Sequence, residues 1–417
     1  MKVSKRFLSG ALCTALIAAT LVSCGDGGKD ASSAKSGSKS VSASSGSSST
    51  ASAFFDASGR TEAQKASFEK YGHYGNPDLG YETMSGERDP WLWPFSRDSI
   101  WNMPIGSDAK YEDAGIRFVD EYGIDEEYLL TTTESDEQLE IYETNMHNRW
   151  PDVSTLKKST VTTYWPKGFR ISADLDTNTC SAILQPDGRT IIQMQPTCRA
   201  TSTSTYATGY PTKGGVDIYD EGSYGSHWGS SLSTLGGSIR VGELTGDGQI
   251  HHALKIMPYA KTDLHFDWED MGFKWPATTA DGYASDTYGG TNPNVLMGSL
   301  LAIDPSATVE SLGITTEVGK KLFFALQNYG AYIVDDSFGP RYNFGGDINI
   351  SAEVKKAYGI NLWAKASKAT DSQNAAYAKD MKALIDNLKV VTNNSKKRVG
   401  GGGTPRQPLA PNLPSVK

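Results

Sequence analysis

Residues 227–335 concentrate side chains that can transfer protons. The candidate catalytic residues are His227, Glu243, His252, Asp281 and Asp335. A pair of carboxyl groups can cleave a glycosidic bond when one protonates the leaving oxygen and the other acts as base or nucleophile. Cleavage by β-elimination would instead need a Tyr or His base near the sugar C5 proton and a cation for the uronate carboxylate.

Polar and aromatic side chains near these residues are candidates for binding a glycan. They are Arg240, Trp228, Trp275, Tyr283, Tyr288 and Asn292. Aromatic faces suit the C–H groups of a pyranose ring, and an arginine suits a negatively charged group. Ordinary structural roles are also open: Glu243 can pair with a neighbouring arginine, His252 can donate a hydrogen bond in the core, and Asp281 with Gly282 can form a turn.

Short strands are expected to position these residues. Alternating patterns predict strands at 127–131, 138–142 and 159–164, hairpins at 181–195 and 236–256, and buried strands at 296–303 and 331–334. Within the second hairpin, Glu243 and Arg240 fall on opposite faces, and at most one of His251 and His252 can join Glu243. Helices are expected at 316–328 and 372–391. The fold class predicted is mainly β, an antiparallel β-sandwich or jelly roll with a few peripheral helices.

Composition divides the chain into six segments. These are a lipoprotein signal peptide at 1–23, a Ser/Gly-rich tether at 24–55, an irregular N-terminal arm at 56–90, a β-sandwich core domain at 91–345, a helical segment at 346–395 and a Gly/Pro-rich tail at 396–417. The tether has almost no apolar residues and cannot bury a core. The aromatic run at 91–95 is either an arm that packs on the core or a platform for sugar stacking.

The N-terminus predicts export. Lys2, Lys5 and Arg6 precede an apolar stretch that is too short to span a membrane. The following Leu-Val-Ser-Cys sequence, which ends at Cys24, resembles the lipobox of bacterial lipoproteins. The resemblance implies that Cys24 is lipidated and that the mature protein is extracytoplasmic and anchored to the cell membrane.

Four cysteines occur in the chain, and two of them remain after Cys13 leaves with the leader and Cys24 takes the lipid. The remaining pair, Cys180 and Cys198, flanks the hairpin at 181–195. Counting from the Asp187 turn places the two cysteines near opposite positions, so a disulfide is expected in an oxidising compartment. Two cysteines alone make a poor metal site, and neither a metal nor a cofactor is expected.

Charge and missing motifs exclude several function classes. Lys and Arg number 40 and Asp and Glu 48, and the mature chain has a net charge near −11 once the three leader cations are removed. An acidic chain without a basic run gives no electrostatic basis for nucleic-acid binding. Motifs of nucleotide-binding loops, zinc proteases and α/β-hydrolases are absent from the sequence. The partners expected are an extracellular glycan and, through the lipid, a membrane; the protein is expected to be a monomer.

Residues 90–345 resemble a group of secreted bacterial β-rich proteins without a named activity. The likeness is carried by segments at 252–255, 275–282, 288–293 and 326–332. The Glu243-Leu244 pair before 249–251 is also similar to paired motifs of jelly-roll alginate lyases, although those motifs lie further apart and their tyrosine-rich third motif is missing here. We therefore expect glycosidic-bond cleavage in a polysaccharide, by hydrolysis or β-elimination. The alternatives are a non-catalytic glycan-binding lipoprotein and a cell-envelope scaffold.

Overall fold

The computed structural model describes residues 84–174 and 177–415, and within them fourteen strands form one sheet. The strands are β1 (Tyr111–Asp113), β2 (Glu121–Thr131), β3 (Glu137–Glu143), β4 (Lys157–Trp165), β5 (Ser181–Leu184), β6 (Thr190–Cys198), β7 (Tyr206–Pro211), β8 (Val216–Asp217), β9 (Leu254–Met257), β10 (Leu300–Ile303), β11 (Ala331–Ile333), β12 (Arg341–Asp347), β13 (Ala364–Lys365) and β14 (Leu388–Val391). The mainly β class is confirmed.

The sheet is mixed. Its strand order is β1-β14-β10-β11-β9-β12-β2-β5-β6-β7-β3-β4, with β13 beside β2 and β8 beside β6. Parallel pairs join β9 to β11, β2 to both β12 and β5, and β3 to β7, and the other pairs are antiparallel. Parallel neighbours need crossover connections, and here the loops that make them converge on the site described below.

Five short or medium α-helices lie in the described part of the chain. They are α1 (Ala260–Asp263), α2 (Ala284–Thr287), α3 (Glu317–Asn328), α4 (Ile350–Tyr358) and α5 (Ser372–Asp386). The sequence correctly predicted α3, whose apolar stripe is buried and which stops before Gly330 at a φ of 79°. None of these helices has the length and apolar character that a membrane crossing requires.

Strand β2 connects the two parts of the sheet. Its first seven residues pair with β12, and Tyr128–Thr131 then pair with β5. Tyr122 and Ile124 point into the main apolar core, which also holds residues of α3 and α5. Because side chains alternate along a strand, Glu121, Gly123 and Asp125 share the opposite face with Glu127. One strand therefore carries a row of acidic residues from the surface into the interior.

The expected hairpin at 236–256 is wrong in its first half. Residues 240–248 form consecutive turns, and only Leu254–Met257 is a strand. The Glu243 carboxylate accepts the Arg240 backbone N–H at 2.6 Å, and the Lys321 ammonium binds the carbonyl of Glu243 at 3.0 Å as well as those of Gly246 and Gly248. These side chains satisfy backbone groups that a strand would use for its ladder.

The predicted helix at 372–391 is too long. Helix α5 ends at Asp386, and Leu388–Val391 form β14, which pairs with β10 and β1. Asn387 caps the helix with its backbone N–H, and the following residues include two valines, which favour extended backbone. The segment at 346–395 therefore contributes a central strand to the same sheet as the preceding residues.

The expected disulfide is wrong, because Cys180 and Cys198 are both buried free thiols. The hairpin register pairs Ser181 with Met194, which sets Cys180 opposite Gln195 and leaves Cys198 three residues further along β6. The Cys180 thiol contacts Gln195 Oε1 at 3.2 Å, and the Cys198 thiol donates to the Ile171 carbonyl at 3.3 Å. The register is centred on the Asp187–Gly188 turn, so a correct count from that turn already places Cys180 opposite Gln195 and three residues short of Cys198.

The C-terminal residues, which were expected to form an extended tail, pack against the body. The Arg88 backbone N–H donates to the Asn412 carbonyl at 3.1 Å, and Gly106 donates to Gly400 at 2.9 Å. The buried Arg406 guanidinium donates to the Gln327 carbonyl at 3.0 Å. The beginning and the end of the described chain are thus joined along one surface.

Helices α3 and α5 approach so closely that a glycine is required between them. A Cβ on Gly319 would lie 2.4 Å from Asp380 Oδ2. The Asp380 carboxylate is fixed there by the Thr316 backbone N–H at 2.8 Å. Helix propensity alone favours alanine over glycine by about 1 kcal/mol, but the clash outweighs this gain.

We expect Gly319→Ala to lower the free energy of unfolding by about 1–3 kcal/mol, the usual cost of overpacking. Urea unfolding followed by circular dichroism measures the effect. Gly248→Ala is the control, because a Cβ at that position meets nothing within 4 Å. A Gly319→Ala protein as stable as the wild type would contradict the packing described here.

Candidate active site

A cavity of about 950 Å³ opens where β2 leaves β12 and joins β5. Four aspartates line it: Asp125 on β2, Asp281 in the loop before α2, and Asp335 and Asp336 directly after β11. Its other lining residues are Met146, His147, Arg149, Thr177, Asn178, Gln195, Tyr210, Trp228, Met257, Gly282, Tyr283, Ser337, Phe338, Arg341, Asn343 and Trp363. The cavity is deep enough to take a sugar residue and polar enough to act on one.

Beneath the cavity lies a buried ion pair between Lys255 and Glu127. The ammonium Nζ is 2.6 and 2.7 Å from the two carboxylate oxygens and 2.6 Å from the Thr234 carbonyl. Lys255 reaches Glu127 across β12, where a Cβ on Gly345 would lie 2.7 Å from Lys255 Cε. Burial alone would raise the pKa of Glu127, but the charges of Lys255 and His227 outweigh burial and hold this pKa below its usual value.

His227 joins this ion pair to the cavity. Its Nε2 is 3.0 Å from Glu127 Oε1, and its Nδ1 is 3.7 Å from Asp335 Oδ2. Burial and the neighbouring Lys255 ammonium oppose protonation, but the hydrogen bonds to Asp335 and Glu127 prevail and raise the pKa of His227. The imidazole is fully buried, so it acts on Asp335 and does not touch a molecule in the cavity.

Asp335 is surrounded by hydrogen-bond donors. The side-chain amides of Gln195 and Asn178 each donate to Oδ2 at 3.3 Å, and the Asp336 backbone N–H donates to Oδ1 at 3.0 Å. These donors fix the orientation of the Asp335 carboxyl group at the wall of the cavity.

Asp281 lies in the opposite kind of environment. Burial, together with the charges of Asp335 and Asp336, raises the pKa of Asp281 to about 8. The Tyr288 hydroxyl donates to Asp281 Oδ2 at 2.6 Å and fixes the carboxyl group. Tyr288 is itself buried, so its contribution is to hold Asp281. A carboxyl group with this pKa carries a proton at neutral pH.

The other two aspartates complete the acidic part of the cavity. Burial and the negative charge of Glu127 raise the pKa of Asp125 to about 7. Burial also raises the pKa of Asp336, although its Oδ1 accepts the backbone N–H groups of Ala260 and Phe338 at 3.0 Å. The Tyr283 hydroxyl donates to Asp336 Oδ2 at 3.3 Å. Tyr283, a predicted glycan-binding residue, therefore lies at the cavity.

Exposed aromatic residues rim the cavity. Trp228 is 39% exposed and stands edge-on to Tyr210, with ring centroids 5.6 Å apart. Phe338 is 82% exposed, and Trp363 is 39% exposed. Large aromatic side chains are seldom left in solvent around a polar cavity unless they contact a ligand.

Glu127, Cys180 and His227 could in principle hold a metal ion, because three of their ligand atoms lie within 4.8 Å of one another. The Lys255 ammonium already contacts two members of this group, at 2.6 Å from Glu127 and 3.2 Å from His227 Nε2. Burial also raises the pKa of the Cys180 thiol well above its usual value, whereas a metal needs the thiolate. The residues fit a buried lysine better than a metal.

Glu243 and His252, two predicted catalytic residues, lie in a different part of the molecule. His252 Nε2 is 3.2 Å from both carboxylate oxygens of Glu243, and His252 Nδ1 is 2.9 Å from the Ala253 carbonyl. Arg240 stacks on the Trp91 ring at 4.8 Å and donates to the Trp91 carbonyl at 2.8 Å. None of these residues lines the cavity, and together they attach the N-terminal aromatic segment to the core.

Trp275 and Asn292 also lie away from the cavity lining. Trp275 is half-buried against an apolar cluster. The Asn292 amide donates to the Asp113 carbonyl at 2.9 Å and holds the end of β1. The structure thus brings Asp281, Asp335, Trp228 and Tyr283 to one cavity with His227 behind them.

Sequence reasoning missed Asp125, Glu127, Lys255 and Arg341. A signal for the first two was present, because acidic residues recur at every second or fourth position from Glu121 to Glu127 and alternate with core residues. Lys255 stands inside an apolar strand, which is unusual for a lysine without a buried partner. Arg341 gave no comparable signal.

No protein-family model, no curated protein and no solved structure matches this chain. The function therefore has to be argued from the site itself.

We expect Asp281→Asn to stabilise the protein more at pH 8 than at pH 5. The folded chain keeps the Asp281 proton up to about pH 8, whereas the unfolded chain releases it near pH 4, so rising pH favours the unfolded state across this window. Asparagine removes this penalty and can still accept the Tyr288 hydrogen bond. Melting temperatures of both proteins at the two pH values measure the effect, with exposed Asp286→Asn as control. An equal difference at both pH values would contradict the raised pKa.

We expect Glu243→Gln to lower the free energy of unfolding by about 1–3 kcal/mol, because it leaves the buried His252 imidazole without its carboxylate. The pKa of His252 is raised: burial lowers it, but the Glu243 charge and hydrogen bond outweigh burial. The raised pKa means that the pair stabilises the fold at low pH and that this contribution is lost as pH rises through the folded-state pKa. Chemical denaturation at pH 5 and pH 9 measures it. A loss that is larger at pH 9 would disprove this assignment.

Proposed function

We propose that this protein is a glycoside hydrolase that acts on an extracellular polysaccharide, with Asp281 as general acid and Asp335 as nucleophile or base. One observation carries the proposal: two carboxyl groups in one cavity lie in opposite kinds of environment, Asp281 buried with a raised pKa and Asp335 held by three hydrogen-bond donors. This difference is what glycoside hydrolysis requires of its two carboxyl groups.

The geometry around Asp281 suits a proton donor. Its Oδ2 accepts the Tyr288 hydroxyl, so Oδ1 is left to carry the proton toward the cavity. A general acid whose pKa is about 8 stays protonated at the pH of most surroundings and can donate to the leaving oxygen. Tyr288 acts through Asp281 and is a positioning residue.

The surroundings of Asp335 suit a negatively charged group that attacks the sugar or activates water. Gln195, Asn178 and a backbone N–H hold its two oxygens. His227 lies behind it and links it to Glu127 and Lys255. We assign His227 as a positioning residue that keeps Asp335 oriented.

Hydrolysis is favoured over β-elimination by the state of Tyr283. Elimination at a uronate needs a base that removes the C5 proton, and tyrosine is a common choice. Burial and the charges of Asp281 and Asp336 raise the pKa of Tyr283 far above its ordinary value. The hydroxyl also donates to Asp336, so it is held in its protonated form. A tyrosine in this state makes a poor base.

A glycan substrate is favoured by the aromatic rim. The side chains of Trp228, Tyr210 and Phe338 are exposed around a polar cavity, and aromatic rings next to polar groups suit the alternating polar and apolar faces of sugars. The same rim supports a second candidate function, non-catalytic glycan binding, in which the carboxyl groups accept hydrogen bonds from hydroxyl groups of the sugar.

The proposed cellular location is inferred from the N-terminal sequence. The signal sequence, the tether and Cys24 lie outside the described residues. A leader with a lipobox would export the chain and attach it through a lipid to the cell membrane, where extracellular polysaccharide is within reach. Localisation therefore remains part of the proposal.

The test uses the purified full chain with a panel of plant, algal and bacterial polysaccharides, while reducing ends and absorbance near 235 nm are followed. We expect new reducing ends without absorbance. Asp281→Asn and Asp335→Asn should each lower kcat at least about 100-fold, the usual contribution of general acid–base catalysis. The matched control, Asp286→Asn on exposed helix α2, should keep wild-type turnover.

The pH profile gives a second readout. Activity should fall as pH rises through about 8, because Asp281 then loses the proton it must donate. His227→Gln should reduce kcat more than it changes KM, since His227 touches Asp335 and not the substrate. Absorbance near 235 nm would establish elimination instead. Silence in both assays combined with glycan retardation in a gel would establish the binding protein.

A further inference from the structure

One wall of the cavity has a composition unlike its acidic floor. Arg341 and Asn343 on β12 line it together with Trp363. In the parallel register, Arg341 lies beside Glu121 and Asn343 lies beside Gly123. All four therefore share the face of the sheet that continues to Asp125.

The wall carries an excess of positive charge. Glu121 is the carboxylate that Arg341 and Lys365 share: Arg341 Nε is 3.5 Å from Oε1, and Lys365 Nζ is 3.5 Å from Oε2. The Trp363 indole N–H also donates to Oε1 at 3.2 Å. Two cations and one hydrogen-bond donor thus contact the single carboxylate of Glu121. Arg341 is the one of these two cations that lines the cavity.

Two buried polar atoms on this wall have no hydrogen-bond partner within residues 84–174 and 177–415. They are Arg341 Nε, one donor, and Asn343 Oδ1, one acceptor. Asn343 is 5% exposed. Leaving a buried polar atom without a partner is costly, and native proteins rarely do so unless a ligand or water satisfies it. Both atoms are shielded from solvent, and Arg341 Nε lies 3.5 Å from Glu121 Oε1, so the part of this wall that a molecule in the cavity can reach is the rest of the Arg341 side chain, which is 30% exposed.

Trp363 supplies a flat apolar surface at the same place. Its ring lies under the Arg341 guanidinium, with 5.5 Å between the guanidinium carbon and the ring centroid. The indole sits directly over Gly123, where a Cβ would lie 2.8 Å from two of its ring atoms. A side chain at position 123 would displace the ring from this wall. Trp363 thus orients Arg341 and leaves part of its own surface exposed to the cavity.

We propose that Arg341, Asn343 and Trp363 form a subsite for a sugar residue that carries an anionic group, a uronate carboxylate or a sulfate ester. This inference rests on the cavity assigned above as the site of hydrolysis, and it makes the substrate an acidic polysaccharide. The guanidinium pairs with the anionic group in a planar arrangement that lysine cannot reproduce. The sugar ring lies against Trp363, and Asn343 supports this wall from beneath.

The acidic floor of the cavity would favour a different class of substrate, a positively charged polymer of amino sugars. The charge of the floor is reduced because burial raises the pKa of Asp125 to about 7 and that of Asp281 to about 8, so near neutral pH Asp281 is mostly protonated and Asp125 is about half protonated. Asp335 and Asp336 already accept hydrogen bonds from the protein. The exposed charged group of the cavity wall is the Arg341 guanidinium, which matches an anionic sugar.

The test measures binding by isothermal titration calorimetry to the full chain with Asp281→Asn, which prevents turnover. The ligands are tetrasaccharides of four kinds: neutral hexose, uronate, sulfated hexose and glucosamine. We expect a uronate or sulfated ligand to bind at least about 10-fold more tightly than the neutral one, as a charge-assisted hydrogen bond allows. Whichever of the two binds more tightly identifies the anionic group.

Three further variants locate the effect. Arg341→Gln should weaken binding of the anionic ligand about 10- to 100-fold and leave the neutral ligand within 2-fold. Asn343→Asp keeps the shape but adds a negative charge, and it should also weaken only the anionic ligand, so it carries the test if Arg341→Gln fails to fold. Arg189→Gln is the matched control, since Arg189 pairs with Asp217 away from the cavity.

The outcomes separate this inference from the proposed function. Hydrolysis of neutral glycans by the wild type, with no loss in Arg341→Gln, would uphold the hydrolase and overturn the subsite. Arg341-dependent binding of anionic ligands without hydrolysis of any polysaccharide would uphold the subsite and overturn the hydrolase. Tighter binding of glucosamine oligomers than of uronate or sulfated ones would overturn the subsite in favour of a cationic substrate.

Discussion

The fold around the site depends on one buried ion pair, Lys255 with Glu127. Moving an ion into a protein interior costs several kcal/mol, and the cost is met only when the geometry is good and the remaining hydrogen-bonding groups are satisfied. Here both carboxylate oxygens of Glu127 contact the Lys255 ammonium, which also donates to two backbone carbonyls. Ser238 and His227 provide further hydrogen-bond partners for the Glu127 carboxylate. The pair connects β9 to β2 across the glycine of β12, and it thereby fixes the strands that form the cavity floor.

This constraint explains why the catalytic candidates have different environments. Asp335 is held by donors and faces an imidazole that is itself anchored to the ion pair. Asp281 lies across the same cavity on a loop that offers it one tyrosine hydroxyl, so burial dominates its protonation. Two chemically identical side chains thus have different surroundings because one is connected to the buried network and the other is not. Glu127, Lys255 and His227 of that network are not among the residues that line the cavity.

Local patterns were sufficient for the end of β2, for β3 to β6, for β10 and β11 and for α3, because alternation and helical periodicity reflect burial directly; β1, β7 and β12 were not predicted. They were insufficient at residues 240–248, where Glu243 and Lys321 bind backbone groups and replace a ladder with turns. Asp281 and Asp335 were identified by residue type alone. Glu243 and His252 were indistinguishable from them in sequence, because what separates the two sets is distance in space. Asp125 and Arg341 come to line one cavity because β2 pairs in parallel with β12. These strands are more than two hundred positions apart, and no local pattern encodes their pairing.

The contacts between the first and last described residues bear on when this structure can form. Glu87 bridges Asn412, Arg88 donates to Pro411, and Gly106 pairs with both Gly400 and Pro405. The strand at 388–391 also inserts between β1 and β10. A ribosome that releases the chain from its N-terminus therefore holds back partners that the first strands need. Completion of the fold waits for the last segments to emerge, so the two ends of the described chain close the structure together.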